Sequence, residues 1–244
     1  MRNITLLLLF TGISHVYAQQ KDTTIQTSNQ LHENNRQSTH DFRLSTKTIA
    51  FPLSLITYGV ISQSNDELRE FDVRIKNVVR KDADFHSPVD NYLQYIPGLS
   101  VYALNAVGIK GKNNFRDRTM IYLMSNVMMG ITVQTIKKIT KVQRPEGFGT
   151  NAFPSGHTAT AFAGAEFLHQ EYRDISPWYG IAGYAAATTT GILRMYNNKH
   201  WFRDVVAGAG FGILATDAAY YLEPVIAKKL FHKKPSYHFD PANF

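Results

Sequence analysis

Residues 154–167 read PSGHTATAFAGAEF, and this stretch decides the fold. Ser155 is a strong helix N-cap, and the segment Thr158–Phe167 that follows is apolar except for Glu166. Its residues are small, mostly Ala, which suits a helix closely packed by other helices. Comparable stretches lie on either side. Asn91–Ile109, Thr119–Ile136 and Ile175–Leu193 contain no Asp, Glu, Lys or Arg, and Val205–Leu222 contains only Asp217. Each runs for 18 or 19 residues, and about 20 cross a bilayer as a helix. The expected fold is all-α, with five to six membrane-embedded helices. The alternative is a soluble bundle whose inner helices are apolar all round, and the mean hydropathy of −0.23 points that way.

Working outward from Ser155, two further motifs carry charge to the ends of apolar helices. Before it stands Lys137-x6-Arg144-Pro145, and after it Arg194-x5-His200-x3-Asp204. A helix start offers free backbone N–H groups and a positive dipole end to an anion, and Gly156 lets the backbone approach one closely. Arginine adds a planar, permanently charged fork for phosphate oxygens. His200 and Asp204, four apart, are expected on one helical face, the carboxylate accepting from one imidazole nitrogen and leaving the other free. Each piece alone has an ordinary structural reading: a helix start, interfacial cations, a surface His/Asp pair. Ten specified positions in order are far less ordinary at ~5% usage per residue type.

Together the three stretches resemble the motifs of the type 2 phosphatidic acid phosphatase (PAP2) superfamily, in its bacterial lipid phosphatase branch. The motifs cover residues 137–204, and the helical pattern extends the likeness to roughly 48–222. The resemblance implies a PAP2-like helical bundle and a phosphatase needing no cofactor and no metal. It implies Lys137, Arg144 and Arg194 as phosphate ligands, with Ser155 and Gly156 at the anion cradle. His200 would be the nucleophile that becomes a phosphohistidine, Asp204 its orienter and His157 the acid that protonates the leaving oxygen. The family's substrates include lipid A phosphates, phosphatidylglycerophosphate, phosphatidic acid and undecaprenyl pyrophosphate. A soluble periplasmic acid phosphatase and a vanadium haloperoxidase share the same motifs and stand as alternatives. One position departs from the family: Leu193 stands where a serine usually precedes the third-motif arginine.

The chain has 244 residues, one domain's worth, and no cysteine. Disulfides, thiol nucleophiles and zinc–thiolate sites are thereby excluded. The net charge of +7 is scattered, with no Lys/Arg stripe interleaved with aromatics, so nucleic acid is not the expected partner. The expected partners are a lipid phosphate substrate and the membrane bilayer, with no obligate protein partner.

Met1-Arg2-Asn3, the apolar run Ile4–Ile13 and Val16-Tyr17-Ala18 read as a secretory signal peptide, residues 1–18, with an uncleaved anchor as the alternative. Residues 19–47 read as a disordered polar tail, 48–230 as the phosphatase domain and 231–244 as a C-terminal tail. The basic loop from Lys110 to Arg118 and the basic C-terminus fall on one side if each helix crosses once. Basic loops stay cytoplasmic, which puts the motifs on the periplasmic side of a bacterial inner membrane. Thr48–Ser62, with Pro52 and Gly59, is then expected to be re-entrant or interfacial. Ser64-Asn-Asp-Glu67 has the pattern of a capping box. The helix after it is amphipathic, lying on the membrane face or packed on the bundle surface.

Overall fold

A computed structural model of the chain describes residues 46–80 and 86–231. The expected signal peptide, most of the polar tail and nearly all of the C-terminal tail lie outside the described residues. Within them the chain is all-helical, with no strand: α1 (Thr46–Ile61), α2 (Asp66–Val79), α3 (Asp90–Leu93), α4 (Ile96–Ala106), α5 (Phe115–Thr140), α6 (Gly156–Tyr172), α7 (Pro177–Tyr196) and α8 (Phe202–Phe231).

The helix that opens at Ser155, α6, forms the centre of the bundle. It packs against α4, α5, α7 and α8, while α8 in turn receives α1 and α5. Ala159, Ala161, Ala163 and Ala165 are all fully buried. Every second residue of an α-helix points about 200° from the last, so these alanines bury α6 all round. Small residues bring the backbones close. A Cβ on Gly212 of α8 would lie 2.3 Å from the Ala159 carbonyl oxygen, and one on Gly164 would lie 2.8 Å from the Gly98 nitrogen of α4. Polar ties cross the same interface: Ser125 and Thr216 share a hydrogen bond of 2.6 Å, and Thr216 also donates to the Ala163 carbonyl. At the far end of α6, Glu171 accepts from the Asn113 backbone and side chain and from the Tyr220 hydroxyl.

Two sequence expectations change here. Asn91–Ile109 is not one helix but breaks around Gln94-Tyr95 into α3 and α4. Pro97 sits in the first turn of α4, where its missing N–H costs nothing and its ring stops a helix running in from upstream. With 11 residues, α4 is too short to span a bilayer. Among the described residues, α5 and α8 are the two helices both long and apolar enough to cross a membrane. Length and composition single out these two of the expected five to six, because uncharged is not the same as apolar: α7 is rich in Ala, Gly and Thr. Thr48–Ser62 forms one continuous helix, α1, laid against α8. Finally, the helix cap after α1 is Asn65, whose side chain accepts from Leu68 N at 2.9 Å. Ser64 N is instead used to close α1, bonding to the Ile61 carbonyl.

Helix α2 rests on the start of α8. Its Asp72 is buried and holds both the backbone N–H and the guanidinium of Arg203, while Phe71 meets Phe202 edge-on. Packing on the bundle surface is thus the arrangement of this helix.

Candidate active site

The ends of α5 and α7 and the starts of α6 and α8 meet at one end of the bundle, and every motif residue lies there. Lys137 stands in the last turn of α5, which closes at Lys141 in the left-handed conformation, φ 46°. The chain then folds on itself. Arg144 N bonds to Gly149 O, Gly147 N to Arg144 O and Ala152 N to Val142 O, all between 2.9 and 3.1 Å. Gly147 and Gly149 take φ of 87° and 82°, which a side chain would resist. Asn151 gathers the cations: its side-chain oxygen accepts from Arg144 Nε at 2.8 Å and its carbonyl accepts from Lys137 Nζ.

Ser155 caps α6. Its hydroxyl is buried against Thr158, and its backbone N–H donates 2.9 Å to the Asp204 carbonyl, which ties the second motif to the third. A Cβ on Gly156 would meet only Val133, at 3.8 Å. No protein atom demands glycine there, so the room is open to a ligand. His157, half-buried in the first turn, places Nε2 3.0 Å from the side-chain oxygen of Asn91. Arg194 is buried at the end of α7, with Nη1 2.7 Å from Asp90 Oδ2. Asn197 also reaches that carboxylate, at 3.2 Å, and fixes the Ser87 backbone on both sides.

His200 is 3% exposed and lies in the turn before α8, not on the helix. Its Nδ1 is 3.6 Å from Asp204 Oδ2, too far for a hydrogen bond. Asp204 Oδ2 accepts instead from Trp201 N at 2.8 Å, because the carboxylate helps to cap the helix that it opens. The expected helical His/Asp pair is therefore a turn–helix pair, in contact but not hydrogen-bonded. Burial first, then the cations Lys137, Arg194 and Arg144, hold the His200 imidazole well below its ordinary pKa of 6.5. It is neutral at physiological pH. Arg194 Nε, His200 Nδ1 and Asp204 Oδ1 are all buried without a hydrogen-bond partner. A neutral imidazole among three cations, with unpaired polar atoms, has the charge and hydrogen-bonding capacity to receive a tetrahedral anion.

Comparison with known proteins bears on the family and the fold. The family model described as PAP2 superfamily matches residues 118–226, which contain all three motifs. Residues 118–226 are thus similar to the PAP2 superfamily. The chain is 37% identical over 174 residues to the lipid A 1-phosphatase of Porphyromonas gingivalis. That match covers 71% of the chain and 37% of the relative, so the chain spans little more than a third of that protein's length. Among solved structures it resembles the transmembrane PAP2-type phosphatidylglycerolphosphate phosphatase of Bacillus subtilis. The identity is 20%, covering 75% of this chain and 99% of that one, with a TM-score of 0.50. At that distance the likeness is one of fold. The LpxE structure from Aquifex aeolicus matches at 19% identity and TM-score 0.47, over 61% of this chain and 94% of that one.

The structure also shows what the motifs left out. Asp90, Asn91, Asn151 and Asn197 hold four of the motif side chains or their neighbours, and none belongs to a motif. Glu146, directly after Arg144-Pro145, pairs with Lys199 at 2.6 Å and approaches Arg144 at 3.7 Å. Only Asp90 left a trace in the sequence, as the lone charge at the edge of an uncharged run.

Proposed function

We propose that this chain is a metal-independent phosphatase that removes phosphate from a lipid, with a lipid A phosphate the leading substrate, through a phosphohistidine intermediate. The observation that carries the reading is the neutral, buried imidazole of His200 set beside Lys137, Arg144 and Arg194. With Asp204 facing Nδ1, Nε2 is the nitrogen left to attack. Its lone pair forms the P–N bond while the P–O bond to the lipid breaks. His157, whose pKa burial and Arg194 push down to about 4, takes up the proton that a phosphate monoanion brings in and passes it to the departing oxygen. His157 then takes a proton from water, whose oxygen attacks phosphorus and displaces His200. The three cations and the backbone N–H groups at the start of α6 neutralise the equatorial oxygens throughout. Contacts such as the 3.6 Å His200–Asp204 approach commonly tighten once substrate is bound.

Two features support a lipid substrate. The identity to a lipid A 1-phosphatase reaches 37%. Leu123, Val127 and Ile131 of α5, four residues apart and therefore on one face, are all more than half exposed. Such an apolar stripe suits lipid better than water. In this reading residues 48–230 are a phosphatase domain in a bacterial inner membrane with the site on the periplasmic side, and residues 1–18 are removed as a signal peptide.

The test is phosphate release by the purified full-length protein in EDTA. Lipid A, phosphatidylglycerophosphate and phosphatidic acid in mixed micelles would be compared with a soluble aryl phosphate. Turnover is expected to favour one lipid, lipid A first, and to survive the chelator. Equal turnover of the aryl ester would move the protein to the soluble acid phosphatases, and loss in EDTA would end the metal-free mechanism. His200→Ala is expected to abolish turnover; retention of even about a tenth would remove it from the nucleophile role.

A further inference from the structure

We propose that Glu146 is a built-in competitor for the phosphate seat, held partly off Arg144 by Lys199. The proposal rests on the reading of Arg144 as a phosphate ligand.

Glu146 follows the arginine by two residues, and its carboxylate lies between two cations from different loops. Oε2 is 2.6 Å from Lys199 Nζ and Oε1 is 3.7 Å from Arg144 Nη1. All three side chains are partly shielded, at 22%, 31% and 19% exposure for Glu146, Lys199 and Arg144, so their charges are incompletely screened. The loop carrying Glu146 cannot drift away. Lys76 Nζ bonds to Pro145 O at 3.0 Å and Trp201 Nε1 to Gln143 O at 3.0 Å, while the Asn198 side chain bridges Arg80 and Glu146 N. An anion is thus fixed beside the cation read as a phosphate ligand.

Phosphate and the Glu146 carboxylate compete for the same guanidinium. When phosphate arrives, Glu146 gives up its long contact with Arg144 and keeps its short one with Lys199. When phosphate is the product, the carboxylate favours its departure. Lys199, next to His200 in the chain, therefore acts on affinity through Glu146. Removing Lys199 takes away the carboxylate's short ion pair and leaves its longer contact with Arg144.

The two neighbours should then have opposite effects, which a merely structural clasp would not produce. The experiment measures inhibition of the full-length enzyme by inorganic phosphate and orthovanadate at low ionic strength. Glu146→Gln is expected to tighten both roughly two- to five-fold, the range of partly exposed ion pairs. KM should fall with it while kcat stays level or drops. Lys199→Gln should weaken both anions by a similar factor, and the double variant should bind like Glu146→Gln alone. Asp66→Asn, an exposed change of equal charge, should do nothing. Unchanged or weaker binding in Glu146→Gln, unchanged or tighter binding in Lys199→Gln, or tightening in Asp66→Asn equal to that in Glu146→Gln, overturns the proposal. Failure of the unaltered protein to bind either anion refutes the phosphate site itself, and the proposal with it.

Discussion

The buried His200 imidazole makes the stability of this fold sensitive to acid. His200 is buried neutral, its pKa held well below 6.5. Below that pH the unfolded chain takes up a proton there and the native site does not. The unfolded state then binds more protons, so this residue's contribution to stability falls as pH drops below 6.5. Denaturation of the wild type and of His200→Gln between pH 7.5 and 5 should show the wild type losing the larger share. Equal slopes would mean that the ring is protonated in the native state. At this scale the sequence spoke clearly about His200, His157 and the three cations, because their spacing within short motifs is itself informative. It was silent about Asp90 and Asn91. Asp90 reaches Arg194 across 104 residues and Asn91 reaches His157 across 66, separations at which spacing carries no signal.

The helices show the same division. The start of α6 was legible because Ser155 does locally what an N-cap must do, accepting from Thr158 N. The break between α3 and α4 was obscured because the whole run from Asn91 to Ile109 is uncharged, and a count of charges passes over a proline. The His200–Asp204 pair was misread as helical for a related reason: spacing of four fits a helix, but here the carboxylate is used to start one. The α6–α8 crossing gives the sharpest prediction for an element. Gly212→Ala puts a methyl group 2.3 Å from a backbone oxygen of Ala159, which cannot step aside as a side chain could. Overpacking of this kind costs about 1–3 kcal/mol. A chemical denaturation midpoint unchanged in Gly212→Ala would show that the two helices slide past each other freely.

For the molecule as a whole, the open matter is its surroundings. Apolar stripes on α5 and the length of α8 lead us to expect that alkaline carbonate leaves the protein in the membrane pellet; release into the supernatant would make those helices the core of a soluble bundle. The sequence carried the all-α architecture because uncharged runs and polar loops alternate along it. It did not carry the number of crossings, which depends on how each run bends and what covers it. The buried atoms that stand without partners at the site, Arg194 Nε, His200 Nδ1 and Asp204 Oδ1, have a consequence at this scale too. Each unsatisfied group costs the native state about 1–3 kcal/mol. A variant with a well-fitting apolar residue at 200, which leaves the Arg194–Asp90 pair and the Asp204 cap in place, is therefore expected to be inactive yet harder to melt. Catalytic readiness and thermal endurance are here drawn from the same few atoms.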